Sequence, residues 1–444
     1  MAVLHGGDLV DGRGGEPRNG VDVIVEGGLV REIVPSRPAG DYAAEVLVDA
    51  GGMLVIPGLI NNHTHGTAFG PLFASGHEGL AHEQVLANLD RHLLEGTTTV
   101  LCVDGFVTAD ALARTDEAHP VTVKLASCNT PACLAAATIA DGGGLSAENR
   151  AFTASHAVRA GAVALGEIGA GHTLGGGGAS YMYIPAEVVR RTGVTITARQ
   201  ADALKVAVLG RHISSAAFDR DAVEEALVAA GLAGRLSVED AREIVSGIVL
   251  PAFDVALSGL AEAAEQARVA DVPVLVHNAA ASMTQVAAIA RADVRLIAGH
   301  SNHSSFDQRE ALEHAERLKE LGAVVDVSTF RVFGSGLATG PALLYAMFEA
   351  GLVDTISTDY AAGDHDPVLL AIDRATKAGV VTLPAAIAMA TANVADAIPG
   401  IAPGRGRVVP GAVADLVVTD PGRLDRVGVV MIGGEVVVRD GRRA

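Results

Sequence analysis

The sequence predicts an α/β chain: a (β/α)8 TIM-like barrel with a small β-sandwich domain built from both termini. Short apolar runs alternate with helical patterns through the middle of the 444 residues, which is the βαβ rhythm of a parallel sheet. Eight such runs can be counted, the number that closes a barrel. Short strands around Gly-Gly turns stand at both ends, and neither end holds enough of them for a stable sheet alone.

At the N-terminus, runs 21–26 and 29–34 flank Gly27-Gly28, a hairpin signal. An apolar run from Val55 through Pro57, Gly58 and Ile60 then ends in Asn62-His63-Thr64-His65-Gly66. Strand two is 97–104 and strand three 121–127, with Lys124 inside it. Strand four, 162–168, carries Glu167 near its end; strand five, 272–277, closes on His277; strand six, 295–300, closes on His300. Strand seven is 323–329, and strand eight, 352–359, closes on Asp359. From about 400 the short-strand style returns, with runs 414–419 and 427–432 and a Gly433-Gly434 turn into 435–438. Residues 1–53 and 400–444 are therefore expected to form one composite domain, and 54–399 the barrel.

Strands four and five are separated by about 100 residues, far beyond the usual short connection. A largely helical insertion is expected at about 172–270. It opens with glycines at 175–178, read as a hinge or plain loop, and offers Asp219 as a helix N-cap. A lid and a subunit interface both suit it.

Acidic residues outnumber basic ones 52 to 33, a net charge of −19. That argues against nucleic-acid and anionic-membrane partners, which call for a basic patch. The expected partners are a small-molecule substrate and further copies of the chain. Three cysteines (Cys102, Cys128, Cys133) make no disulfide framework and fit a reducing cytoplasm. Read as small buried hydrophobes, they need no further role. The first residues lack a signal-peptide pattern, and no run reaches the ~18 uninterrupted apolar residues of a membrane helix. A cytoplasmic location is expected.

His63 and His65 are two apart on a strand, so their side chains leave on the same side. Two neutral imidazoles facing one cavity are what a metal ion asks of a protein. Glu167, His277, His300 and Asp359 end later strands in the same manner. In a parallel barrel those ends form one rim, where groups far apart in sequence converge.

On these residues the chain resembles the amidohydrolase superfamily of metal-dependent hydrolases. The resemblance rests on Pro57 through His65, on His277, His300 and Asp359, and on residues 406–418, similar to the family's return into its small β domain. It covers nearly the whole chain outside 172–270. Many members bridge two metals with a carboxylated lysine on strand four. Here that strand offers Glu167, as in the glutamate-bridged, enamidase-like binuclear subset, and Lys124 on strand three is the alternative bridge. The resemblance implies two divalent ions, zinc first, with iron or manganese also suited. His63 and His65 would hold one with Asp359, His277 and His300 the other, and Glu167 would touch both. His303, three residues past His300, is a weaker competitor for that place.

The implied activity is hydrolysis of a C–N bond in a cyclic amide, an imide or a related amide, by a hydroxide that two metals activate. Asp359 would take the proton and pass it to the leaving nitrogen. Arg331, just past strand seven, is a candidate clamp for a substrate carboxylate, and His172, Tyr181, Tyr183 and His365, which follow ligand strands, are candidate pocket contacts. Deamination of a nitrogen heterocycle is the rival activity. The superfamily's mononuclear deaminases usually carry His-x-x-Glu after strand five, and Ala280 stands in that glutamate's place, although the glutamate-bridged adenine deaminases do not depend on it. A remote alternative is a non-catalytic scaffold, which would have lost the ligands.

Overall fold

The computed structural model describes residues 1–444 except 172, 176, 334–339 and 360–364. Eight parallel strands form the barrel sheet in sequence order: Leu59–Thr64, Thr97–Gly105, Thr122–Ser127, Ala164–Ile168, Val274–His277, Leu296–Gly299, Val324–Ser328 and Thr355–Ser357. The first and last meet through side chain and backbone. Asn61 Nδ2 donates to Thr358 Oγ1 at 2.7 Å, and the Asp359 N–H donates to the His63 carbonyl at 3.1 Å.

Strand periodicity sorts the side chains into two cores. Ile60, Leu101, Val103, Ala126, Ala164, Leu275 and Ile297 pack inside the barrel, together with Val394, Ile398 and Ile401 from the segment after the last strand. Val100 and Cys102, one step out of phase with Leu101 and Val103, face the helices instead. Polar residues also lie within the barrel. Buried Asp326 accepts from Asn62 Nδ2 at 3.1 Å, Thr355 Oγ1 at 2.7 Å and Ser357 Oγ at 2.8 Å. Burial pushes its carboxyl above the ordinary range despite these bonds.

The terminal strands join in one nine-stranded sheet over a core that includes Leu4, Val23, Val55, Leu416 and Met431. Its seam is Leu54–Pro57, which pairs parallel with Ala2–Leu9 and antiparallel with Leu416–Asp420. This corrects the expected boundary at 53/54. The apolar run from Leu54 reads as one strand, but Pro57-Gly58 divides it between two sheets. A Cβ on Gly58 would lie 2.3 Å from Thr98 Oγ1, so only glycine allows that passage. Both Gly-Gly hairpins form, with Glu26 opposite Leu29 and Ile432 opposite Glu435.

Between strands four and five stand the helices Ile184–Thr192, Ala198–Leu209, Arg220–Ala229 and Val238–Ala270. Asp219 caps the third, accepting from the Ala222 N–H at 3.1 Å. The 33-residue Val238–Ala270 starts in a Ser237/Asp240 capping box. Around Gly259 it runs against Pro131–Ala140, where an added Cβ would sit 3.3 Å from Ala132. That part covers the barrel as an ordinary outer helix, so it is barrel wall and not only insertion. By length and composition the same helix is apolar enough to cross a membrane, with 44% of its most apolar window buried within the protein.

Candidate metal centre

Four imidazoles surround the carboxylate of Glu167, and each oxygen faces its own pair. Oε2 lies 3.1 Å from His63 Nε2 and 3.2 Å from His65 Nε2. Oε1 lies 3.1 Å from His277 Nδ1 and 2.8 Å from His300 Nε2. Asp359 closes the first group, with Oδ1 3.5 Å from His63 Nε2 and 3.7 Å from His65 Nε2. All six predicted ligands are thus within one cluster, buried except for Asp359, whose side chain keeps 20% exposure.

The barrel positions them by simple means. Each residue lies within two positions of the end of its strand. Gly299 precedes His300, and a Cβ there would lie 3.1 Å from the His63 ring, so glycine leaves room for that imidazole. Asp359 and His300 turn off their strands with positive φ, 48° and 37°, which bends the chain at the rim.

Charge holds the cluster together. Burial would raise the Glu167 carboxyl, but His63, His277 and His300 hold it well below the usual carboxylate range. Burial would lower His65, yet the carboxylates of Asp104 and Glu167 push it up to about 10. His300 goes up to about 9, burial again being outweighed by Glu167 and Asp359. His277 is lowered by burial and by neighbouring His300.

The donor set fits divalent ions. Two ligand atoms at about 2.1 Å from one ion, in tetrahedral or octahedral array, are roughly 3.0–3.4 Å apart, close to the separations around each oxygen of Glu167. His63 Nε2, which faces Glu167 Oε2 at 3.1 Å, is buried without a well-aligned hydrogen bond among the described residues. Such an orphan is unusual in a structure that owes it to packing alone. His63, His65 and Glu167 bring one ligand atom each within 4.8 Å of one another, and so do Glu167, His277 and His300.

Sequence reasoning overlooked Asp104. It ends the second strand and accepts from His65 Nδ1 at 2.9 Å, and also from the Gly66 and Phe73 N–H groups. The signal was present, since Asp104 closes an apolar strand as the other ligands do. With Nδ1 so engaged, His65 offers Nε2 to the cluster.

The softer candidates divide. Tyr181 packs its ring against Phe330, 5.8 Å between centroids, next to half-buried Arg331, which adopts φ 48°. Tyr183 donates to Asp141, which His77 also contacts at 2.6 Å. His172 lies outside the described residues. His303 Nδ1 bonds Ser305 Oγ at 2.8 Å, and it is His300 that meets Glu167. Lys124 is half-buried on strand three, two residues before Ala126 of the barrel interior.

His365 is a correction. Its Nε2 is 2.7 Å from Glu95 Oε2, at the end of helix His82–Leu94, and its ring stacks on His92. Gly96, next to Glu95, bonds the Leu59 N–H through its carbonyl, which is the start of the first strand. His365 therefore turns its ring outward onto the first barrel helix, while the next residue, Asp366, stays at the ligand-side rim, where its N–H donates to the Thr329 carbonyl at 3.0 Å.

A family model described as Amidohydrolase family matches residues 159–437. The chain belongs to the amidohydrolase family. As an amidohydrolase it is a metal-binding hydrolase of C–N bonds, and His277, His300 and Asp359 fall within the matched span. Among solved structures it is similar to a D-aminoacylase with a binuclear metal center, with TM-score 0.59 and 14% identity over 100% of this chain and 97% of that one. It is likewise similar to the β-aspartyl dipeptidase of Fervidobacterium islandicum AW-1, with TM-score 0.56, 16% identity and coverage of 100% and 97%. A D-hydantoinase gives TM-score 0.53 and 15% identity, covering 100% and 96%. At such identities the likeness speaks for the fold. No curated protein matches the chain.

Proposed function

We propose that this amidohydrolase cleaves the C–N bond of a small amide, cyclic amides and imides included, on two divalent ions held by His63, His65, Glu167, His277, His300 and Asp359. The observation that carries this reading is the split of Glu167, one oxygen toward His63 and His65 and the other toward His277 and His300. Imidazole and carboxylate donors suit zinc, and iron or manganese as well. When bound, such a pair supplies an activated water and polarises the amide carbonyl.

The remaining work belongs to side chains. Asp359 is the one partly exposed member of the cluster, and its backbone is fixed by the bond to the His63 carbonyl. It takes the proton from the attacking water and delivers it to the leaving nitrogen. Asp104 holds the His65 tautomer through Nδ1. Similarity to an aminoacylase, a dipeptidase and a hydantoinase supports amide cleavage over deamination. So does Ala280 in the place of a deaminase glutamate.

The test is a screen of cyclic amides, imides, hydantoins and N-acyl compounds with metal-reconstituted protein, scored for ring opening, acyl release and ammonia. Ring opening or acyl release is expected. Ammonia from a heterocycle, with none of the amides cleaved, would make the chain a deaminase instead.

A further inference from the structure

We propose that the cleft between helix Ala198–Leu209 and the loop after strand six receives the carboxylate of an N-acyl amino acid or a comparable anionic amide, with Lys205 as the group that recognises it. This rests on the hydrolase reading above and names its substrate class.

The cleft, about 90 Å³, is lined by Lys205, Asp202, Arg211, His277 and His303 among others. Because His277 also belongs to the metal centre, the cleft adjoins the reacting end of a bound amide. Lys205 stands on the helix face Ala201, Leu204, Lys205, Val208, all buried. An i, i+3, i+4, i+7 face is where a globular helix places apolar residues. An ammonium there forfeits hydration and needs partners.

Two partners are present. Lys205 Nζ donates to the Gly175 carbonyl and forms an ion pair with Asp202 Oδ1, both at 2.9 Å, and Asp202 Oδ1 also accepts from Ser180 Oγ at 3.0 Å. Gly175 brings its carbonyl there at φ +68, where a Cβ would lie 3.0 Å from Val249. An ammonium has three protons to donate, and these two partners are those found among the described residues. The third proton is what a carboxylate in the cleft would take, in a charge-assisted bond. Arg211, the other cation of the lining, is committed at 2.6 Å to Glu310, at 3.2 Å to Asp307 and at 2.8 Å to the Ser305 carbonyl. The helix belongs to the segment between strands four and five, so this chain's own insertion would choose the substrate.

The experiment compares metal-loaded wild type with Lys205→Met and Lys205→Arg on a panel of N-acetyl amino acids and their carboxamides. For Lys205→Met, kcat/KM should fall about 10–100-fold on the acids, the range for losing a hydrogen bond to a charged group. The loss should lie mainly in KM, with the carboxamides nearly unchanged, bound metal equal to wild type, and partial rescue in Lys205→Arg. Calorimetric binding of N-acetylglycine and N-acetylglycinamide to wild type and Lys205→Met needs no turnover. It therefore decides the proposal even if no amide is cleaved, an outcome that would fail the hydrolase reading alone. Equal losses on acids and carboxamides, or unchanged binding of N-acetylglycine in Lys205→Met, would overturn the proposal. So would a preference for ammonium-bearing amides that Asp202→Asn abolishes.

Discussion

Two groups in this molecule are made of the same parts, histidine and glutamate within ligand distance. One surrounds Glu167; the other joins His92, Glu95 and His365. The first gathers residues from five strand ends around a carboxylate that faces two imidazoles on each side. The second lies between the first barrel helix and the segment entering helix Val368–Lys377. It carries its own cation, since Arg91 bonds Glu95 at 3.0 Å and the His365 carbonyl at 2.8 Å. Its rings stack, 17° between planes, instead of converging. Donor composition alone is thus a poor guide. What separates a metal centre from a clamp is the direction the donors point and the charge already present.

If that contrast holds, changes in the two groups should have crossed effects. Glu167→Gln should lose most turnover, beyond the 10–100-fold typical of an outer-shell partner, and lose one ion while the barrel stays folded. Lys124→Met should be far milder, and the reverse order would make a carboxylated lysine the bridge. Asp359→Asn keeps a coordinating oxygen but cannot accept the proton. It should retain its metal while kcat falls about 10²–10⁴-fold; a loss under tenfold would leave Asp359 as a ligand only. Asp104→Ala frees His65 Nδ1 and should weaken metal binding by about 10–100-fold in a chelator competition. Glu95→Ala, in the other group, should leave kcat near wild type and cost about 1–3 kcal/mol in denaturant unfolding, as for a buried partner left unsatisfied. Lost activity in Glu95→Ala at full stability would erase the contrast.

The two groups should also differ in the sign of their pH response. His65 and His300, raised to about 10 and 9 by carboxylates, stabilise the metal-free fold fully below pH 6.5. That contribution is lost as pH climbs through 9 and 10. His92 is pushed well below its ordinary value by burial, then by His365 and Arg91. Its unfolded form takes up a proton that the folded form refuses, so stability is lost as pH falls through about 6.5. Thermal melts of chelated protein from pH 5 to 10 should show both slopes, and His92→Phe should reduce the acid one, to which lowered His277 also contributes, while leaving the alkaline one unchanged.

Much of the barrel could be read from the sequence because each strand announces its end with a polar residue after an apolar run. The clustered residues His63, His65, Glu167, His277, His300 and Asp359 were visible on that rule, and Asp104 obeyed it without being recognised. The rule fails where strand character is right but sheet membership is not, as at Leu54–Pro57, since periodicity says nothing about which neighbour a strand pairs with. It fails again past the strand ends. His365 is close to Asp359 in sequence, yet its ring turns outward onto His92 and Glu95 at the end of the first barrel helix. Lys205 left a different mark, a charge on the apolar face of its helix, legible only to a reader who counts the face.

Elemental analysis of the purified wild type, with activity followed through chelation and reloading, tests the metal centre most directly. The account predicts about two divalent ions per chain and activity that disappears and returns with them. One ion or fewer, with turnover indifferent to the chelator, would contradict it.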